Sequence, residues 1–292
     1  MAVDMLQEKI RKLKNPTVLE LCLDPQEIPS DYTKEEGDPV EGYTAYALGL
    51  LNKLKELVPA VWVNFASFAL YGPEGLTALK KLLQQAKKLG YYALVEAPQV
   101  ISPRMAARTA ELLLGQGSAY PCDGIILGGY SGSDVIKPFL PFCQEGKKDI
   151  YLVVRTGNKS APELQDLLAG GRLVHAAAAD HVNRFGADTM GKFGYTRVGI
   201  LAGASSAESL KNLRKKYPKL FFLIEGVDYP NANAKNCAQG FDKFGHGAAV
   251  ISGSAITGAW KQEETDNPDA LACAEAAALR LRKNLNRYVT IL

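Results

Sequence analysis

The stretch AVWVNFASFALYGPEGLTALKKLLQQAKKLGYYALVE, residues 60–96, decides how the chain is read. It opens on one short apolar run, Ala60–Phe65, and closes on another, Tyr92–Glu96. Both have the length and the Val, Leu and aromatic content of strands buried on two faces. Between them Leu76, Leu79, Leu82 and Leu83 recur at the three-and-four spacing of a single helix face, and Gly90 supplies the stop. Strand, helix and strand in this order form a unit of a parallel sheet covered by helices.

Working outward, the same kind of run recurs at Thr17–Leu23, Gly124–Leu127, Ile150–Arg155, Arg197–Leu201, Leu220–Ile224 and Ala248–Ser252. Eight strands alternating with amphipathic segments predict a (β/α)8 TIM barrel, which needs about 250 residues. The 292 residues contain no Gly/Ser-rich or Pro-rich linker and no low-complexity tract, so residues 1–292 are expected to form a single α/β domain. Residues 1–16 read as a helix that caps the barrel bottom, and residues 267–292 as a long C-terminal helix. The polar segment Asp24–Gly42 follows the first strand, where barrels carry functional loops.

Composition narrows the function classes. A net charge of +3 without a basic block or aromatic-basic interleaving argues against nucleic acid as a partner. No run reaches the roughly 18 apolar residues of a membrane span, and the charged N-terminus lacks the apolar segment of a leader, so a cytoplasmic protein with no membrane partner is expected. Cys22, Cys122, Cys143, Cys237 and Cys273 are odd in number and scattered, which disfavours disulfides and a zinc site. Neither a cofactor nor a metal is expected.

Several segments agree with one family in order and spacing. They are LCLDP at Leu21–Pro25, GPEGL at Gly72–Leu76, RTGNKSAPELQDL at Arg155–Leu167 and GYTRVGILAGAS at Gly194–Ser205. The chain resembles the longer bacterial form of orotidine 5'-phosphate decarboxylase over most of its length. The resemblance implies an alternating Lys-Asp-Lys-Asp network in which a lysine protonates the carbanion left by carbon dioxide. At those positions stand Trp62 for the second-strand lysine, Glu96 for the first aspartate, Pro98 for the catalytic lysine and Ile101 for the second aspartate. Proline has no amine and isoleucine no charge. The nearest lysines, Lys87 and Lys88, fall on the preceding helix, and Arg104 is too basic to donate a proton. The resemblance also implies a phosphate grip, where Ser254 replaces an arginine and Pro230 a glutamine, while Glu225 stands in place of an apolar proline. Losing a bidentate arginine at a buried phosphate costs on the order of 2–5 kcal/mol.

The remaining candidates lie at strand ends. By the resemblance Asp24 grips a ribose hydroxyl; by its own context, before Pro25, it opens a turn. Thr156 and Asn158 match the family's fifth-strand loop, or only hydrogen-bond their own backbone. Glu96, Glu225, Asp228 and Asp24 are four carboxylates placed to converge on the mouth, with Arg155, Arg104 or solvent as neutralising partners. Ser252, Gly253 and Ser254 precede a helical segment and either bind a phosphate or permit close packing. His175 and His181 are six apart and point to different faces, His246 falls on the barrel bottom, and the charge run Lys211–Lys216 reads as a solvated helix face. The leading expectation is a decarboxylase-like barrel that has lost its activity and serves as a binding, regulatory or partner subunit. Its partners would be a small molecule such as a nucleotide or sugar phosphate, and a second copy of itself or an active relative in a dimer. The alternatives are an active decarboxylase of pyrimidine biosynthesis and a repurposed enzyme with an acidic mouth.

Overall fold

A computed structural model describes residues 2–33, 37–98, 100–145, 147–226, 232–264 and 268–292. The chain folds into a closed eight-stranded barrel. Its strands are β1 (Thr17–Leu21), β2 (Ala60–Val63), β3 (Tyr92–Glu96), β4 (Gly124–Gly128), β5 (Asp149–Arg155), β8 (Thr196–Gly203), β9 (Leu220–Glu225) and β10 (Ala248–Ser252), every neighbouring pair parallel. The intervening β6 (Leu168–Ala169) and β7 (Arg172–Leu173) form a separate antiparallel hairpin. The helices in chain order are α1 (Ala2–Leu13), α2 (Pro39–Leu54), α3 (Phe65–Ala69), α4 (Gly72–Lys88), α5 (Pro103–Leu114), α6 (Ser133–Ile136), α7 (Leu140–Gln144), α8 (Val174–Gly186), α9 (Ala207–Lys216), α10 (Ala234–Cys237), α11 (Ser254–Thr257) and α12 (Ala270–Asn286). The expected single (β/α)8 barrel is therefore present, and no helix among the described residues is long and apolar enough to cross a membrane.

Two strand ends fall short of the sequence reading for local reasons. The second strand stops at Val63 because Asn64 caps α3, its side chain accepting from Ser67 N at 2.9 Å. The first stops at Leu21 because Leu23 N donates to Ser67 Oγ instead of to a neighbouring strand. In α4 the buried face runs through Gly75, Ala78, Leu79, Leu82, Leu83 and Ala86, with Leu76 at its margin. Gly75 lies so close to the end of α3 that a Cβ there would sit 1.9 Å from Phe68 O, so only glycine fits.

The bottom is closed by α1, which buries Val3, Leu6 and Ile10 and sends Gln7 into the barrel, where its Oε1 accepts from Gly247 N at 2.9 Å. Above it Tyr92 donates to Asp149 Oδ2 at 2.6 Å and lies 3.1 Å from Tyr151 OH. Burial pushes the Asp149 carboxyl well above its ordinary range. His246 lies on this face, its Nε2 3.0 Å from Leu292 O. All five cysteines are unpaired.

The charge run Lys211–Lys216 is not wholly solvated. Arg214 follows Leu210 and Leu213 on the inner face of α9 and is 7% exposed. Its guanidinium donates to Gly240 O and Gly247 O at 2.7 Å and to Leu220 O at 2.9 Å, and stacks 3.7 Å from the Phe222 ring centroid. Burial lowers its pKa to about 10. Replacing it strands several buried carbonyls. Arg214→Met is expected to lose about 3 kcal/mol or more of stability in urea denaturation, while Lys211→Met, on the exposed face, stays within about 0.5 kcal/mol of the parent.

Candidate functional site

Side chains at paired positions of parallel neighbours point the same way, so the strand register builds the mouth. Glu20 of β1 pairs with Trp62 of β2, and Leu19 pairs with Ser252 of β10, which sets Glu20 beside Gly253. A Cβ on Gly253 would stand 2.9 Å from Glu20 Oε2. Glu225 at the end of β9 pairs with Ile251 of β10 and with Gly203 of β8. Between these strand ends lies a cavity of about 200 Å³ lined by Glu20, Cys22, Glu27, Trp62, Glu225 and Thr257. Gly226, Ile251, Gly253 and Ser254 complete its wall. It sits at the C-terminal ends of the strands, where barrels place their ligands.

The glutamates are held by specific donors. Thr257 Oγ1 donates to Glu27 Oε2 at 2.6 Å. Gly157 N donates to Glu225 Oε2 at 2.6 Å, and Asn64 Nδ2 to Glu96 Oε2 at 2.6 Å. Burial raises the Glu225 pKa; the Gly157 bond opposes that and the charge of Glu96 adds to it. Burial also raises Glu96. Burial and the neighbouring charges of Glu20, Glu27 and Asp24 push the Cys22 thiol up, against the bond to Ser67, so this thiol is no ready nucleophile. Trp62 is 7% exposed and its Nε1–H has no hydrogen-bond partner. No lysine, arginine or histidine lines the cavity among the described residues, and there no group of three or more His, Cys, Asp or Glu side chains is arranged to hold a metal.

The other residues singled out in the sequence are dispersed. Asp24 caps the turn Pro25–Glu27, accepting from Gln26 N at 2.9 Å. Thr156 bonds to Asn158, and its N donates to Gln165 Oε1 at 2.8 Å, so both residues tie down their own loop. Arg155 is committed to Asp166 through two 2.9 Å bonds, with His175 3.0 Å from the same carboxylate, and Arg104 is exposed on α5. Neither neutralises the cavity. Pro98 is half-buried and Ile101 is 68% exposed, so nothing at these positions can move a proton in the mouth. Ser252 is fully buried with an unpartnered Oγ, and Ser254 begins a helix of four residues beside the acidic wall. Asp228 and Pro230 lie outside the described residues.

Glu20 and Glu27 were not read as cavity residues, whereas Trp62 was singled out at the position that the resemblance gives to a catalytic lysine. Glu20 was detectable as the lone charge within TVLELCL, two residues before Cys22 and so on the same side of the strand. Glu27 reaches the mouth from a loop, which strand alternation does not reveal.

Fold and cavity define the chain as a (β/α)8 barrel with a ligand-sized site at its C-terminal mouth. No family model matches it. It is similar to orotidine 5'-phosphate decarboxylases, at 28% identity to that of Clostridium novyi (strain NT), covering 98% of each chain, and at 29% to that of Clostridium perfringens (strain SM101 / Type A), covering 99% of each. Its fold matches the structure of Leishmania donovani OMP decarboxylase with a TM-score of 0.76 at 20% identity, over 98% of this chain and 97% of that one. These likenesses support the orotidine 5'-phosphate decarboxylase family for this chain.

Because Glu225 holds its proton more tightly folded than unfolded, its contribution favours folding at low pH and is lost as pH rises above the ordinary carboxylate range. Glu225→Gln keeps an acceptor for Gly157 and removes that loss. Its Tm is expected to exceed the parent's by about 2–4 °C at pH 7.5, with the difference shrinking towards pH 4, as followed by circular dichroism.

Proposed function

We propose that this barrel binds a small molecule at its mouth and does not decarboxylate orotidine 5'-phosphate through a lysine-aspartate network. One observation carries the reading. Trp62, buried and lining the cavity, occupies the position that the family resemblance gives to the second-strand lysine, and no basic side chain lines that cavity among the described residues. Decarboxylation leaves a carbanion that needs a positioned acid, and a substrate phosphate needs cations or aimed N–H donors. Glu225, in place of an apolar residue at the pyrimidine, adds repulsion to a substrate that is already anionic.

The second reading is an active decarboxylase. It is favoured by the names of relatives that are 25–29% identical over 98% or more of this chain. An assay of carbon dioxide release from orotidine 5'-phosphate by pure protein, beside a Glu96→Ala variant prepared identically, separates the two. The expected result is no turnover above the variant. Turnover that falls with the Glu96 substitution would establish the decarboxylase and overturn the proposal.

A further inference from the structure

We infer that Asp149, Tyr92 and Tyr151 form a proton-held latch at the barrel bottom, closed while the Asp149 carboxyl is neutral and loosened when it ionises. All three side chains are fully buried. Asp149 opens β5, its Oδ2 lies 2.6 Å from Tyr92 OH, and its Oδ1 has no hydrogen-bond partner among the described residues. Tyr92 OH lies in turn 3.1 Å from Tyr151 OH. The carboxyl therefore meets one phenol, and that phenol a second. An ionised carboxylate offers about four acceptor sites, and a buried charge with a single donor is costly. A neutral acid both donates and accepts, so a short chain of hydroxyls serves it without a buried charge.

The surrounding charges leave the carboxyl in that state. Arg197 of β8 attracts it, but the Arg197 guanidinium donates to Thr189 O at 3.0 Å and Met190 O at 3.2 Å and approaches Asp4 Oδ2 of α1 to 3.8 Å. Asp4 and Asp123, the residue before β4, repel it, and Lys87 of α4 meets Asp123 at 2.6 Å. Cys143 of α7 also faces it, a thiol that burial pushes up. Burial is the largest influence on Asp149 and raises its pKa; the Tyr92 bond and Arg197 oppose this without reversing it. The same residues stitch three strand starts together. Asp149 N donates to Asp123 O at 2.9 Å, Asp123 N to Ala93 O at 2.8 Å, and Ala93 N to Asp123 Oδ2 at 2.9 Å. A Cβ on Gly124 would lie 2.9 Å from Tyr92 OH and 3.0 Å from Asp149 O, so the packing here is close. An ionised Asp149 gains solvation only if water enters, and the starts of β3, β4 and β5 must part to admit it. The ordinary aspartate pKa is about 3.9. With the folded value above it, the contribution of Asp149 to stability is complete below that pH and declines as pH rises towards the folded value.

The test reads the proton on the intact chain. An infrared spectrum at neutral pH should show the carbonyl stretch of a neutral carboxyl group. Labelling aspartate with carbon-13 at Cγ should move this band, which separates it from any band of Glu225 or Glu96, and Asp149→Asn should remove it. Tyr92→Phe should keep the band and shift it to higher frequency, because the carboxyl loses the Tyr92 bond; with the labelled parent, this variant decides the matter even if Asp149→Asn does not fold. In urea denaturation Asp149→Asn should gain on the parent as pH rises from about 4 to 8. Where the band titrates away, the amides of Ala93, Asp123 and Asp149 should lose hydrogen-exchange protection in the parent, after correction for the intrinsic pH dependence of exchange. No aspartate carboxyl band, a band that survives Asp149→Asn, or a parent that gains on this variant with rising pH would each overturn the inference. Protection that holds while the band disappears would overturn the latch.

Discussion

The pairing of β1 with β10 closes the barrel, and the mouth depends on its register. Thr17, Val18 and Leu19 align with Val250, Ile251 and Ser252, and Val250 N reaches back to Pro16 O at 2.8 Å. A parallel pair fixes not only which residues are neighbours but which side they face. A slip of one residue would turn Glu20 out of the cavity and an apolar side chain in. Closure therefore places a carboxylate on β1 against the bare backbone of Gly253. Pairing of β1 with β2 carries the alignment to Trp62, and pairing of β10 with β9 carries it to Glu225.

Burial of the mouth is purchased by the same strands that build it. Glu225 is drawn into an apolar setting at the end of β9, between Gly203 and Ile251, and among the described residues the Gly157 N–H answers it directly. The neighbouring RTGN loop is in turn fastened by Gln165 to Thr156 and by Asp166 to Arg155. A rigid loop keeps that donor in place. Arg155, two residues before Gly157, is thereby committed to the loop and not to the cavity.

How much of this was legible in the sequence depends on what carried the signal. Strands such as Tyr92–Glu96 and Ala248–Ser252 have the same bounds in both readings because a strand buried on two faces is written as a continuous apolar run. The ends of β1 and β2 were misjudged because Asn64 and Ser67, two small polar residues, redirect the backbone into α3. The β6–β7 hairpin went unread although Gly170 and Gly171, both at positive φ, sit between its strands in LAGGRL. Arg214 looked like one charge among several, since its carbonyl partners come from the β9 start and from loops distant in sequence. The cavity was half legible. Glu225 lies at a strand end, where barrel chemistry is sought, but Glu27 and Thr257 meet across 230 residues, a contact no local pattern encodes.

On the proposed reading, Trp62 stands where the family resemblance puts a lysine. A lysine at the inner end of β2 would bring a charge into a closed wall and would need a carboxylate partner to stay ionised. An indole fills the same wall with apolar surface, stabilises the barrel by burial, and leaves a single polar atom to be answered. Among the described residues no lysine, arginine or histidine lines the cavity that Glu20 and Glu225 share with Trp62. On the proposed reading, a barrel end that the family resemblance assigns to an anion is lined here by carboxylates and an indole. The fold does not register the change, because barrel stability resides in the buried strands and helix faces, whereas the character of the ligand is set by a few residues at their C-terminal ends.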